Sequence, residues 1–174
     1  MRRRQFAALA GAAALSGCGF QPVYMPTASG SAGVAQRELA AIRVNLIPDR
    51  PGQEMRQALQ QRLEGAGATA PHLYDLAVSF GVSGEGIAIQ PDSIATRVRL
   101  IGTASWTLVA QDPGRTTLTS GSAKAVDGLN IIDTQYFEAD LTNEAVTRRL
   151  ANALADQITI QLSAYFRRRA TASS

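Results

Sequence analysis

Two spacings of apolar residues run along this chain, and together they predict its secondary structure. Alternate positions are apolar at Ile42, Val44 and Leu46, the pattern of a strand with one buried face. A helical spacing follows at Met55, Leu59 and Leu63. The ordered part of the chain is therefore expected to begin with a strand and a short amphipathic helix.

Three longer strands are predicted next. Alternation resumes at Tyr74, continues in a second strand over residues 94–110, and returns in a third over residues 115–126. In the third strand the apolar positions change phase across Ser120 and Gly121, as a bulge requires. These strands are expected to form one sheet.

The last element is a long helix with one apolar row, formed by Leu150, Leu154, Ile158 and Leu162. Arg167, Arg168 and Arg169 stand at its end, where cations complement the helix dipole. Helices with a single apolar stripe must cover one face of the sheet. The predicted fold class is α+β, a two-layer sandwich with two helices on one face of a four-stranded mixed or antiparallel sheet, in the order β-α-β-β-β-α. It occupies residues 38–169 as a single domain, and residues 170–174 are expected to be a disordered tail.

A separate apolar run at the N-terminus has the parts of an export signal. Arg2, Arg3 and Arg4 precede it, and Leu15-Ser16-Gly17-Cys18 ends it. The last four residues match the lipobox of bacterial lipoproteins, which predicts a signal peptide over residues 1–17 and lipidation of Cys18. The alternative is an ordinary cleaved signal with an incidental cysteine, and the arginines serve general secretion and twin-arginine export equally well. Residues 18–37 lack an apolar period and are predicted to be a flexible linker.

Charge and cysteine content narrow the class of protein. The chain has 17 Lys+Arg and 14 Asp+Glu, but the three surplus cations all lie in the signal. The mature chain is therefore balanced, which argues against nucleic acid as a partner. A single cysteine excludes an internal disulfide.

The sequence contains no recognisable catalytic or cofactor-binding motif. His72 is the sole histidine, and it stands at no metal-ligand spacing from an Asp, Glu or Cys. Gly81, Gly84 and Gly86 have the wrong order for a dinucleotide loop, and they lie inside an alternating strand. We therefore predict that the chain is not an enzyme and uses no cofactor or metal.

Three cations on the predicted strands form the candidate binding site. Arg97 and Arg99 are two positions apart and so project from one face of their strand. Lys124, the sole lysine, lies on the next strand and shares that face if the bulge falls where the sequence places it. The competing interpretation is a solvated sheet face, whose charges contribute little.

Five short motifs are spread along the whole chain: residues 18–24 (CGFQPVY), 95–97 (ATR), 104–108 (ASWTL), 130–136 (NIIDTQY) and 154–158 (LADQI). In this order they resemble the LptE family, the lipopolysaccharide-assembly lipoproteins of Gram-negative outer membranes, in the form typical of alphaproteobacteria. Trp106 stands where many relatives have tyrosine. The fold of that family, two helices on a four-stranded sheet, agrees with the fold that the periodicity predicts.

The resemblance implies a lipoprotein of the cell outer membrane, held on the periplasmic side by acyl chains on Cys18. It also implies a complex with the LptD β-barrel, in which the chain acts as plug and assembly partner, and binding of lipopolysaccharide through basic residues. The assignment of that binding to Arg97, Arg99 and Lys124 comes from their strand positions and not from the family pattern.

Two other classes of protein stay open on the sequence. One is an accessory lipoprotein of another envelope machine, such as a secretion pilot or a transporter auxiliary, which co-purification of a barrel would separate. The other is a membrane-tethered hydrolase, which the single histidine disfavours.

Overall fold

The computed structural model describes residues 33–64, 71–89, 95–130 and 136–172, with Val34–Ser174 as one compact unit. The predicted signal peptide, residues 1–17, and Cys18 lie outside the described residues. The elements of the described part are, in chain order, α1 (Val34–Ala40), β1 (Ile42–Val44), α2 (Asp49–Leu63), β2 (Tyr74–Ile89), β3 (Ala95–Ala110), β4 (Thr117–Asn130) and α3 (Tyr136–Ala172).

The strands form one four-stranded mixed sheet in the order β1-β2-β3-β4. The short β1 runs parallel to β2, as expected for two strands joined by a helix, and β2, β3 and β4 are antiparallel neighbours. The α+β class and the four-stranded sheet are confirmed. The short helix α1 adds a third helix to the two that were predicted.

Strand β3 separates an apolar face of the sheet from a polar one. Leu100, Ala104, Trp106 and Leu108 are at most 7% exposed on the face that packs against the helices, while Arg99, Thr103 and Ser105 are exposed on the other. This is the alternation that the sequence predicts for residues 94–110. The apolar row of α3 completes the core, because Leu150, Leu154, Ile158 and Leu162 are all at most 2% exposed.

Two glycines of the sheet leave space for side chains that pack closely against it, Leu154 of α3 at Gly102 and Trp106 of β3 at Gly121. A Cβ atom on Gly102 would lie 3.1 Å from the Cδ1 atom of Leu154. A Cβ on Gly121, which is paired with Trp106 in register, would lie 2.6 Å from the indole ring. The indole Nε1 donates a hydrogen bond to Gln161 of α3 at 3.0 Å, which fixes the ring over the glycine. Gly121 is therefore needed for space at this position.

Side chains of the same molecule cover part of the exposed edge of β4. Gln157 and Gln161 of α3 donate amide hydrogen bonds of 3.1 Å and 3.0 Å to the backbone carbonyls of Lys124 and Ser122. Asp127 accepts a hydrogen bond from the backbone N–H of Gly128 at 2.8 Å. These side chains take positions that a further strand would otherwise use, so they oppose uncontrolled strand addition at this edge.

The predicted linker is too long at its C-terminal end. Residues 34–37, which were assigned to it, form the start of α1, where Ala35, Leu39 and Ala40 are buried. The hydroxyl of Tyr74 donates a 2.7 Å hydrogen bond to Glu38, which fixes α1 to the start of β2. At the other end of the chain, α3 continues to Ala172, so residues 170–172 of the predicted tail are helical.

Two details of the strands also differ from the prediction. Strand β1 ends at Val44 because the chain there turns towards α2, so the alternation stops, and Leu46 is 72% exposed while Ile47 is buried. In β4 the pairing of Leu108 with Thr119 shifts to a pairing of Val109 with Thr117. The extra residue of the bulge is therefore residue 118 and not the predicted pair of residues 120 and 121.

Candidate functional site

The face of the sheet opposite the helices is open and polar, and we refer to it as the outer face. Its exposed residues come from three strands: Ala77, Ser79, Gly81, Ser83 and Glu85 on β2, Arg99, Thr103 and Ser105 on β3, and Ser120, Ser122, Lys124, Val126 and Gly128 on β4. Small side chains and hydroxyl groups dominate this surface. Large ligands can therefore approach the strands closely, and cations here project from a flat surface.

The structure places two of the predicted cations, Arg99 and Lys124, on this one face. Lys124 stands opposite Thr103 in the register of β3 and β4, and directly opposed residues of antiparallel strands project to the same side. Thr103 is four residues beyond Arg99, so the two positions project to the same side of β3. Arg97 is described by its backbone, which pairs with Asn130.

These cations are spread out and do not form one compact cluster. From the strand rise, Lys124 lies about 13 Å along the sheet from Arg99. Within the described part of the chain neither Arg99 nor Lys124 forms an ion pair, although Glu85 of β2 stands opposite Arg99 in register. An anion with several separated charges fits this spacing better than a single phosphate.

Lys124 borders a shallow depression of about 610 Å³ on the sheet. Ser79, Thr103, Ser105 and Ser122 also line it. Hydroxyl groups both donate and accept hydrogen bonds, so this depression suits a polar ligand group beside the lysine ammonium. It is open to solvent and has no catalytic pair of side chains among the residues that line it.

A second set of cations, which the sequence analysis missed, lies at the end of the outer face where β2 begins. Arg43 of β1 is opposite Asp75 in register and donates to its carboxylate at 2.8 Å. Arg115, in the turn before β4, donates to the other carboxylate oxygen at 2.8 Å, and Gln111 adds a bond of 2.9 Å. The alternation of Ile42, Arg43 and Val44 indicates that Arg43 points away from the core. The sequence around Arg115 does not indicate that this residue joins the same cluster.

Asp75 is held as a carboxylate in this cluster although it is 1% exposed. Burial pushes the pKa of Asp75 upward, but the hydrogen bonds from Gln111, Arg43 and Arg115 outweigh it and bring the pKa below its ordinary value. The side chains of Arg43 and Arg115 remain about half exposed, at 53% and 59%. Their charge is partly offset by Asp75, so they add less positive potential to the outer face than isolated arginines would.

Other kinds of site find no support in the described residues. No group of His, Cys, Asp and Glu in that part of the chain could hold a metal ion. His72 is exposed in the segment before β2, as a loop residue would be. Among the described helices none is long and apolar enough to cross a membrane.

Solved structures define the class of fold. A protein described as a lipoprotein from Caulobacter crescentus has a TM-score of 0.61 and 20% identity to this chain, and the match covers 76% of this chain and 95% of that one. Rare lipoprotein B from Shewanella oneidensis has a TM-score of 0.53 and 11% identity, covering 71% and 93%. Lipoprotein B from Nitrosomonas europaea has a TM-score of 0.53 and 13% identity, covering 71% and 82%. At these identities the likeness establishes the fold: this is an α+β domain of a kind found in bacterial lipoproteins.

The family follows from the sequence itself. The family LptE, lipopolysaccharide-assembly, matches residues 39–162, which is well over half of the chain and includes the four described strands. The chain belongs to this family, and its role is therefore in lipopolysaccharide assembly. No curated protein matches the chain. Membership of an assembly family agrees with the prediction that the chain is not an enzyme.

Proposed function

We propose that this chain is a lipoprotein of the outer membrane that forms a complex with an LptD-type β-barrel as plug and assembly partner. In this role it takes part in the transport of lipopolysaccharide to the cell surface. The family match over residues 39–162 carries the proposal. The lipobox that ends in Cys18 supports the membrane attachment, and the polar outer face offers a surface that a large partner or ligand can cover.

The same proposal includes direct binding of lipopolysaccharide through Arg97, Arg99 and Lys124. Its support is the shared face of Arg99 and Lys124, which are separated on that face by the row of Ile101 and Val126, with the hydroxyl of Thr103 beside the lysine. Guanidinium groups engage two phosphate oxygens at once, and an ammonium acts as a compact charge. Because the mature chain has no net charge to attract anions, recognition must come from local groups such as these.

Replacing Arg97, Arg99 and Lys124 together by serine is expected to abolish capture of lipopolysaccharide in moderate salt. Thermal stability should stay nearly unchanged, because exposed charges contribute little to folding. The variant should still co-purify with the barrel from detergent-solubilised outer membrane. Capture is measured by pull-down of purified lipopolysaccharide, and barrel association by probing the same membrane extract.

The matched control removes three cations from the helical side: Arg50, Arg148 and Arg149, which are 76%, 59% and 58% exposed. It lowers the charge by the same amount and should keep capture intact. Unchanged capture by the outer-face variant would place the headgroup site elsewhere. Loss of barrel association in that variant would assign these cations to the protein interface.

The anchor is tested by Cys18→Ser, which should release the chain from the membrane fraction while leaving the domain folded. Each buried methylene contributes ~0.8 kcal/mol, so several acyl chains hold a protein at a bilayer almost irreversibly. The measurement is the share of protein that stays with membranes after a salt wash, in a strain without the barrel partner and in the parent strain. Retention of the variant in both strains would contradict acylation as the tether.

A further inference from the structure

One end of the domain gathers arginines from α1 and from the C-terminal end of α3, and we refer to it as the basic end. Its members are Arg37, Arg167, Arg168 and Arg169. Arg37, Arg168 and Arg169 are exposed, and Arg167 is half-buried. The mature chain as a whole is balanced, so this positive charge is segregated and not part of a general excess.

Packing at the start of β2 brings α1 and the end of α3 together. The ring of Phe166 lies 5.3 Å from that of Tyr74, centroid to centroid. The hydroxyl of Tyr74 donates to Glu38 of α1 at 2.7 Å, and Arg169 is close enough to act on that hydroxyl electrostatically. These contacts bring Arg169 of α3 beside α1, in which Arg37 directly precedes Glu38.

The carboxylate within this surface is already engaged. Burial, together with the hydrogen bond to Glu38, raises the pKa of Tyr74 to about 12. At neutral pH the hydroxyl therefore stays protonated, donates to Glu38 and holds that carboxylate inward. The nearby carboxylate of Asp75 is bound by two arginines of its own. Glu38 keeps its charge in that hydrogen bond and offsets one of the four arginines, so Glu38 and the four arginines together carry a net positive charge.

The chain reaches the domain from its N-terminus at this same end. α1 begins at Val34, and Cys18 stands fifteen residues before Gly33. A fully extended chain of that length spans at most about 50 Å. An acylated Cys18 would therefore hold the start of α1, which is part of the basic end, within about 50 Å of the bilayer.

We infer that the basic end docks on an anionic phospholipid surface, the one to which the chain is tethered. This inference rests on the proposed acylation of Cys18 for its geometry. A cluster of arginines beside a lipid anchor supplies the second, electrostatic contribution that positions a tethered domain. Cations also stabilise the C-terminal end of a helix, which is a second explanation for arginines here. That explanation predicts no dependence of vesicle binding on lipid composition.

The test uses the processed chain, residues 18–174, carrying Cys18→Ser, so that binding does not depend on acylation. Its partition is measured by flotation with phosphatidylcholine vesicles that contain or lack phosphatidylglycerol, at low and high salt. We expect binding to the anionic vesicles that salt reverses. Each arginine at such a surface is worth about fivefold in partition, so Arg37→Gln, Arg168→Gln and Arg169→Gln together should weaken it about a hundredfold.

Two further variants make the outcome decisive. Lysine at the same three positions keeps the charge and should retain binding, while glutamine at Arg50, Arg148 and Arg149 removes three cations from outside the basic end and should change little. Equal losses in the two glutamine variants, or equal binding to neutral and anionic vesicles, would overturn the inference. Arginine-dependent capture by lipopolysaccharide aggregates without capture by phospholipid vesicles would overturn it as well. Acylation of Cys18 is tested separately, by the fractionation of cells that carry Cys18→Ser, so its failure would not affect the vesicle result.

Discussion

Truncating Leu154 to alanine is expected to lower the free energy of unfolding by roughly 2–5 kcal/mol. Leu154 is fully buried in the apolar row of α3, and its Cδ1 atom lies against the backbone of Gly102 in the centre of β3. The sheet is rigid at this point because β3 is paired on both sides, so the cavity cannot close fully. Urea unfolding of wild type and variant under identical conditions gives the difference.

Ile160→Ala is the matched control for this measurement. Ile160 lies on the same helix, six residues further on, and it is 58% exposed. Its truncation should change the free energy of unfolding by no more than about 0.5 kcal/mol, since surface substitutions rarely do more. Equal effects of the two substitutions would mean that α3 is not docked on the sheet through this row.

The elements that periodicity predicts well are those with one buried side. The row through Leu150 and Leu154 in α3 and the alternation through Leu100 and Leu108 in β3 both appear in the structure as the sequence predicts. A long amphipathic segment contains many repeats of its own signal, so a few exceptions do not obscure it. This is why the fold class could be predicted from the sequence.

Short elements and chain ends could not be predicted in the same way. Helix α1 has seven residues and buries Leu39 with small alanines, so its apolar signal is too brief to stand out from a linker rich in alanine and glycine. The end of α3 past Arg169 has only alanine and threonine, with no large apolar residue, and its helical state reflects continuation of the preceding turns. Both errors come from elements whose stability depends on their neighbours.

The candidate site also has one part that the sequence predicts and another that depends on the tertiary structure. Strand geometry alone predicts that Arg97 and Arg99 share one side of their strand. Whether Lys124 joins them depends on the register, which a bulge changes, and the structure moves that bulge to residue 118 while keeping Lys124 on the outer face. The cluster around Asp75 was missed because Arg43, Asp75 and Arg115 are distant in sequence and meet through β-sheet pairing and a turn.

Replacing Asp75 by asparagine is expected to cost roughly 1.5–3 kcal/mol at neutral pH, the range for hydrogen bonds to charged groups. The carboxylate is buried and accepts from Arg43, Gln111 and Arg115 at 2.8–2.9 Å, whereas an amide of the same shape offers one acceptor oxygen and two donors. The arginines are half exposed and can be rehydrated, which keeps the cost below that of a fully buried pair. Asp156→Asn, at a 60% exposed carboxylate paired with Arg62, is the control and should cost less than 1 kcal/mol.

The difference in free energy of unfolding between wild type and Asp75→Asn should depend on pH. Because the pKa of Asp75 is lower in the folded than in the unfolded chain, its contribution is complete above the unfolded value of about 3.9 and disappears as the pH falls through the folded value. Asparagine does not titrate, so the difference in free energy of unfolding between wild type and Asp75→Asn isolates this group from the other carboxylates. We expect a constant difference from neutral pH down to about pH 5, followed by a decrease on further acidification. A difference that stays constant to the acid limit, or grows there, would show that the Asp75 carboxylate is not stabilised by its arginine partners.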